Sequence, residues 1–115
     1  MMRSTSARFL QYRHEQAYLL IKGNPPLPDA PIADVLDEWR YTGNRLHPTQ
    51  KPVAALTPLI ESFCPQGGTV LDPFCGSGST LVAARKGGRR FIGIELESGH
   101  HHTCRNRLTA SAGSF

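Results

Sequence analysis

The residues that could do chemistry cluster around two glycines, Gly76 and Gly78, which flank Ser77. They follow a short apolar run that ends at Asp72, and they precede a segment of helical character that begins at Ser79. A glycine loop between a strand and a helix lets a ligand approach the backbone, and the start of the helix offers free amide donors. The arrangement suggests a nucleotide-like ligand, although a G-x-G pattern alone is weak evidence and is more often an ordinary tight turn.

Two common phosphate sites do not match this loop. The dinucleotide fingerprint G-x-G-x-x-G fails because Leu81 occupies the third glycine position. No Gly-Lys-Ser/Thr sequence is present, so the phosphate-binding loop of nucleotide hydrolases is excluded as well. An NAD-linked dehydrogenase therefore remains only a weak alternative.

Two carboxylates are predicted to frame the loop. Asp72 ends the strand before it, and Glu95 ends the next predicted strand, where a carboxylate can accept the hydroxyl hydrogens of a ribose. Two negative charges suit a ligand that carries a ribose and a positive charge, which is the profile of S-adenosylmethionine. If Glu95 acts only on that ligand, its replacement by glutamine should barely change the stability of the empty protein. The alternative for Glu95 is a solvated strand end.

Two segments resemble motifs of one known family. D-P-F-C-G-S-G-S-T at residues 72–80 resembles the cofactor loop of the DNA amino-methyltransferases, which usually reads D-P-F-x-G-S-G-T-T. H-P-T-Q-K-P at residues 47–52 resembles their second cofactor motif, which precedes the loop in the subgroup with permuted motif order. The resemblance covers roughly residues 44–108 and implies S-adenosylmethionine-dependent methyl transfer to an amino group of adenine or cytosine in DNA.

The resemblance also implies which residues bind the cofactor. Glu95 would hold the ribose, Lys51 would pair with the ligand carboxylate, and the ring of Phe74 would contact the sulfonium as a cation–π partner. No residue of the chain is assigned a catalytic or metal-ligating role. The full predicted cofactor set is Thr49, Gln50, Lys51, Asp72, Phe74, Gly76, Ser77, Gly78, Thr80 and Glu95.

The catalytic motif of that family is not intact in this chain. Its D/N/S-P-P sequence, followed by an aromatic residue, accepts the amino hydrogens of a flipped-out base and stacks on the ring. The nearest match is N-P-P-L at residues 24–27, where Leu27 cannot stack as an aromatic ring does. We therefore expect residues 1–115 to form a single incomplete methyltransferase domain, with the catalytic motif in upstream sequence. The alternative is an inactive remnant that still binds S-adenosylmethionine.

The elements that position these residues are predicted to form an α/β fold. It would be a partial Rossmann-like methyltransferase domain, with parallel strands and flanking helices. Residues 9–43 are predicted to hold a strand at Ala17 to Ile21 and a Pro-rich loop at Asn24 to Pro31, and residues 44–108 the cofactor-binding part. In that part we expect a helix over Val53 to Phe63 that breaks near Thr57, a strand over Thr69 to Asp72, a helix over Ser79 to Lys86, a buried strand over Arg90 to Leu96, and a helix over Ser98 to Leu108.

Composition and charge bear on the partners and the location of the protein. The chain has 115 residues and a net charge of +4, which is compatible with a DNA partner without deciding for one. It has no apolar run long enough for a membrane span and no secretory signal, so a cytoplasmic location is expected. An incomplete parallel sheet leaves an open edge, so we expect self-association or pairing with an upstream catalytic segment.

The remaining metal and thiol candidates are few. Three cysteines without a C-x-x-C pair are expected to be reduced thiols. His100 and Cys104 lie one helical turn apart and could together bind a metal, but a solvated helix face is the favoured interpretation.

Overall fold

The computed structural model describes residue 9 and residues 16–36 and 53–112. Within residues 53–112, three helices alternate with two strands, so the predicted α/β class is confirmed. The elements are α1 (Val53–Phe63), β1 (Thr69–Asp72), α2 (Ser79–Lys86), β2 (Arg90–Gly93) and α3 (Ser98–Ala112).

Strands β1 and β2 pair in parallel, as predicted, with Asp72 opposite Gly93. Parallel neighbours need a crossover, and α2 supplies it. Backbone pairing continues past the strand ends, because the Ile94 amide donates to the Asp72 carbonyl and the Cys75 amide donates to the Ile94 carbonyl, each at 3.0 Å. The loop that follows β1 is thereby held against the chain that follows β2.

The core lies on one face of this small sheet. Ile60 of α1 packs against Ala83 and Ala84 of α2, with Val70 and Phe91 of the strands beneath them. Phe91 also contacts a second cluster, which consists of Cys75, Leu81 and Cys104, so it joins the two parts of the core.

The opposite face of the sheet is open within the described residues. Leu71 is 62% exposed and its neighbour on β2, Ile92, is 55% exposed. The predicted strand over Arg90 to Leu96 is shorter than expected, since β2 ends at Gly93, and among the described residues it is covered on one side only. Its apolar sequence is typical of a parallel strand with layers on both faces, and only one layer is present in the described part.

Helix α1 runs unbroken through Pro58, so the predicted break near Thr57 is wrong. Proline removes one backbone hydrogen bond and crowds the preceding turn. Here the helix continues because residues on both sides of Pro58, Leu56 and Ile60, pack in the same core cluster. Tertiary packing of an apolar face contributes more to a helix in a protein than local preference does.

The predicted strand at Ala17 to Ile21 is also wrong, because this segment is irregular. Its side chains are largely exposed, with Tyr18 at 87% and Leu20 at 88%. A strand exists only with a hydrogen-bonded neighbour, and in the described part the two-stranded sheet consists of β1 and β2 alone. The Pro-rich stretch that follows is a loop, as predicted, and its Ala30 carbonyl accepts a 3.1 Å hydrogen bond from Ser62 of α1.

Helix α3 continues to Ala112, four residues beyond its predicted end at Leu108. Among the residues with an assigned structure, no helix has both the length and the apolar character that crossing a membrane requires.

Candidate functional site

The loop between β1 and α2 has an open backbone at Gly76. This residue has a φ of 54°, and a Cβ atom built on it would meet no atom within 4 Å. Residues that carry a side chain rarely adopt that left-handed backbone conformation, so glycine is the suitable residue here. The space beside the Gly76 backbone is accessible to a ligand.

Gly78 has a different role in the same loop. Its φ is 90°, and a Cβ atom there would collide with the thiol of Cys104 on α3. Gly78 lies at the N-cap of α2, where its carbonyl accepts the Val82 amide at 2.9 Å and its amide donates to the Cys75 carbonyl at 2.8 Å. The second glycine thus lets α3 pack directly behind the loop.

Glu95 lies beside this loop, where the parallel strands bring it. Its Oε1 accepts the Gly76 amide at 2.9 Å, and its Oε2 accepts the Glu97 amide at 2.8 Å. The expectation that Glu95 acts on the ligand alone is therefore incomplete, because its carboxylate also fixes the backbone of the protein.

Asp72 and Phe74 form the beginning of the loop. Asp72 is half-buried, and its Oδ1 accepts the Phe74 amide at 3.1 Å, which turns the chain away from β1. The Phe74 ring is 89% exposed at the surface of the loop. Thr80 is half-buried in the first turn of α2, and Ser77, within the loop, is buried.

Arg107 of α3 is a site residue that the sequence analysis missed. Its Nη1 donates to the Ser77 carbonyl at 3.0 Å and lies 3.1 Å from the hydroxyl oxygens of both Ser77 and Ser79. Burial lowers the pKa of Arg107. Its position three residues after Cys104, one helical turn further along α3, is the only signal in the sequence that could have indicated it.

The two buried cysteines support the loop from below. The Cys75 and Cys104 thiols are hydrogen-bonded partners, and burial together with the neighbouring thiol raises the pKa of Cys75 to about 11. Cys75 is therefore a protonated thiol at neutral pH and not a nucleophile. All three cysteines are free.

The two residues of the alternative metal pair have different surroundings. The His100 ring lies 3.1 Å from the Glu97 carboxylate, whereas Cys104 is buried against Cys75 and Leu81. Across residues 16–36 and 53–112, no group of three or more His, Cys, Asp or Glu side chains has the arrangement of a metal site.

The structure thus brings together most of the predicted cofactor set around one loop. The members in the described residues are Asp72, Phe74, Gly76, Ser77, Gly78, Thr80 and Glu95. Thr49, Gln50 and Lys51 lie outside the described residues, so their place beside the loop stays a prediction.

Comparison with known proteins identifies the family. A family profile described as DNA methylase matches residues 2–106. The chain belongs to the DNA methylase family. The resemblance predicted from the two motifs is confirmed.

Curated relatives of this DNA methylase chain carry methylase or methyltransferase names. YubD of Escherichia coli (strain K12), whose name describes it as a methylase, is 56% identical over 107 residues, which are 93% of this chain and 47% of YubD. The type II methyltransferase M2.DpnII of Streptococcus pneumoniae is 48% identical over 64 residues, which are 56% of this chain and 24% of that protein. The chain spans less than half the length of these relatives.

Solved structures of other methylases match as well. The M1.HpyAVI–SAM complex is 42% identical with a TM-score of 0.55, over 56% of this chain and 32% of M1.HpyAVI. TTHA0409 of Thermus thermophilus, named as a DNA modification methylase and complexed with S-adenosyl-L-methionine, is 35% identical with a TM-score of 0.54, over 56% of this chain and 27% of TTHA0409. The predicted partial methyltransferase fold is confirmed, and both complexes contain the cofactor predicted from the sequence.

Proposed function

We propose that this chain binds S-adenosyl-L-methionine at the loop between β1 and α2, and that it is the cofactor-binding half of a DNA amino-methyltransferase. The observation that carries the proposal is the open backbone of Gly76, whose amide is tied to the Glu95 carboxylate at 2.9 Å. The Glu95 carboxylate and the Gly76 backbone amide lie together at the carboxyl ends of the two parallel strands. Ligands of open α/β sheets bind at that edge.

The residues at the loop fit such a ligand. The Glu95 carboxylate suits ribose hydroxyls as an acceptor, and the glycine backbone leaves room for the ligand to lie against it. The exposed ring of Phe74 is available to a cation, a contact worth about 0.5 to 2 kcal/mol according to desolvation. When bound, the cofactor would supply a methyl group on a positively charged sulphur, and Thr49, Gln50 and Lys51 would bind its methionine end.

The target would be an amino nitrogen of adenine or cytosine in DNA, in a cytoplasmic restriction–modification setting. The catalytic motif and the groups that recognise the target would lie in sequence outside this chain. Leu71 and Ile92 are consistent with this, because the sheet face that they form is open among the described residues and offers an apolar surface on which an upstream catalytic segment or a second copy could pack.

The second candidate is a module that binds S-adenosylmethionine and transfers nothing. It is favoured by N-P-P-L at residues 24–27, an irregular stretch in which Leu27 is 89% exposed and offers no aromatic ring. The two candidates share the cofactor site and differ only in methyl transfer to DNA.

Calorimetry with S-adenosyl-L-methionine tests the site. The variant Gly76→Val should weaken binding by at least roughly tenfold, because the side chain fills the open approach to the backbone. The matched control is Gly67→Val, since Gly67 also has a positive φ, 77°, and open space around it, but lies in the turn before β1. The control should bind like the wild type.

Two results would contradict the proposal. The first is equal affinity of the Gly76→Val variant and the wild type, which would mean that the ligand does not bind at this loop. The second is tighter binding of NAD than of S-adenosyl-L-methionine to the wild type, which would restore the dehydrogenase alternative.

A further inference from the structure

Arg107 connects the last helix of the chain to the middle of the glycine loop. Its guanidinium donates to the Ser77 carbonyl and lies within hydrogen-bond distance of the Ser77 and Ser79 hydroxyls, all between 3.0 and 3.1 Å. Ser77 and Ser79 are only 4% and 5% exposed. A half-buried arginine directed at neutral oxygens of one loop differs from a solvated surface arginine such as Arg105, two residues earlier in the same helix, which is exposed.

The Ser77 peptide needs such a partner because of its neighbours. It lies between Gly76 and Gly78, which have φ angles of 54° and 90°. Glycine has wide conformational freedom, so a peptide between two glycines can rotate unless other groups hold it. Glu95 holds the loop at Gly76, Cys104 packs behind Gly78, and Arg107 contacts Ser77 itself.

The geometry points to Arg107 as a positioning residue for the cofactor loop. It holds the Ser77 peptide in the orientation that keeps the Gly76 backbone open, so the loop is ordered before the ligand arrives. Ordering a loop in advance removes part of the entropic cost of binding. This inference rests on the proposed function for its effect on affinity, but the effect on the shape of the loop does not depend on the ligand.

The test compares four variants of the full chain. Arg107→Met removes the guanidinium at similar length, Arg107→Lys keeps the charge without the planar fork, and Arg105→Met is the matched control on the exposed side of α3. Each is measured by calorimetry with S-adenosyl-L-methionine and by the NMR signals of the Gly76 and Gly78 amides in the ligand-free protein. Added guanidinium ion at low millimolar concentration is the rescue arm for Arg107→Ala.

We expect Arg107→Met to shift both glycine amide signals and to weaken binding roughly tenfold. Arg107→Lys should fall between it and the wild type, and Arg105→Met should match the wild type. Guanidinium should restore affinity to Arg107→Ala and leave the wild type unchanged. If Arg107 only stabilised the fold, its replacement would lower the free energy of unfolding. The amide signals of Gly76 and Gly78 would not shift, and added guanidinium would not restore the affinity.

The outcomes separate the two proposals. If the wild type does not bind S-adenosyl-L-methionine, the proposed function fails, and the glycine amide signals still decide the role of Arg107. If Arg107→Met is folded with unchanged amide signals and unchanged affinity, the positioning role is wrong. If Arg107→Met does not fold, Ser79→Ala removes one acceptor and leaves α3 intact, and the absence of any amide shift in that variant would overturn the inference.

Discussion

Glu95 combines two roles that are usually considered apart. A carboxylate beside a glycine loop can accept from a ribose, and here the same group accepts the Gly76 and Glu97 amides at 2.9 and 2.8 Å. These backbone bonds hold the carboxylate in place beside the loop. Removing the negative charge should therefore affect the empty protein as well as the ligand complex.

We predict that Glu95→Gln lowers the free energy of unfolding of the ligand-free protein by about 1 kcal/mol. The amide oxygen keeps one of the two backbone bonds, but the amide nitrogen then faces another N–H donor. Urea denaturation measures the change. It should also weaken binding of S-adenosyl-L-methionine, in calorimetry, by roughly ten- to a hundredfold.

The matched control is Glu97→Gln, the same substitution two residues along the chain. The Glu97 carboxylate is exposed and pairs with His100 at the surface, an interaction of small energetic value. If Glu95→Gln and the wild type unfold at the same urea concentration, the bonds from Glu95 to the backbone do not stabilise the loop.

At the scale of elements, one arginine joins the ends of two helices. Arg89 is 8% exposed, and its guanidinium donates to the Cys64 carbonyl at 2.9 Å, the Glu61 carbonyl at 3.3 Å and the Gly87 carbonyl at 2.6 Å. These carbonyls lie at the carboxyl ends of α1 and α2, where helix dipoles favour a positive charge. Arg89 thus connects the end of α1 to the end of α2, although the two are distant in sequence.

We predict that Arg89→Met lowers the free energy of unfolding by about 2 to 3 kcal/mol, because carbonyl groups at both helix ends lose a charged donor. Thermal unfolding followed by circular dichroism measures the loss. Arg90→Met is the control, since Arg90 follows directly in β2 and is exposed. Equal midpoints for the two variants would mean that Arg89 does not hold the helix ends together.

At the scale of the whole molecule, the sequence predicts that this chain holds only part of the site for the target base. It spans 47% of YubD, and its N-P-P-L stretch lies in an irregular segment with Leu27 exposed. A methyl donor held in one half of a site cannot orient the amino nitrogen that must attack it. Such orientation can account for roughly 7 to 11 kcal/mol of a barrier.

We predict that the isolated chain transfers no methyl group to DNA, even where it binds the cofactor. A tritium-transfer assay on unmethylated DNA should stay at background. Adding a fragment that carries an intact D/N/S-P-P-aromatic motif should restore transfer, and Asp72→Ala in this chain should abolish the restored activity. Methylation by the chain alone that is lost in Asn24→Ala would instead identify a minimal complete enzyme.

The sequence by itself determined the part of the molecule that depends on neighbouring residues. The order of β1, α2 and β2 follows from short apolar runs separated by glycine turns, and the loop at Gly76 and Gly78 follows from the conformational freedom that only glycine has. Asp72 and Glu95 could be placed at one edge because parallel strands bring their carboxyl ends together. These inferences require no knowledge of distant contacts.

Only the tertiary structure decided the contacts between distant parts of the chain. Pro58 lies in a continuous helix because α2 packs across it, whereas Tyr18 to Ile21 lacks strand structure because no described strand pairs with it. Arg107 meets Ser77 across thirty positions of sequence, a pairing that no local pattern encodes. Packing and hydrogen bonds between elements depend on how the chain folds back on itself, and that is the physical reason why spacing alone did not identify them.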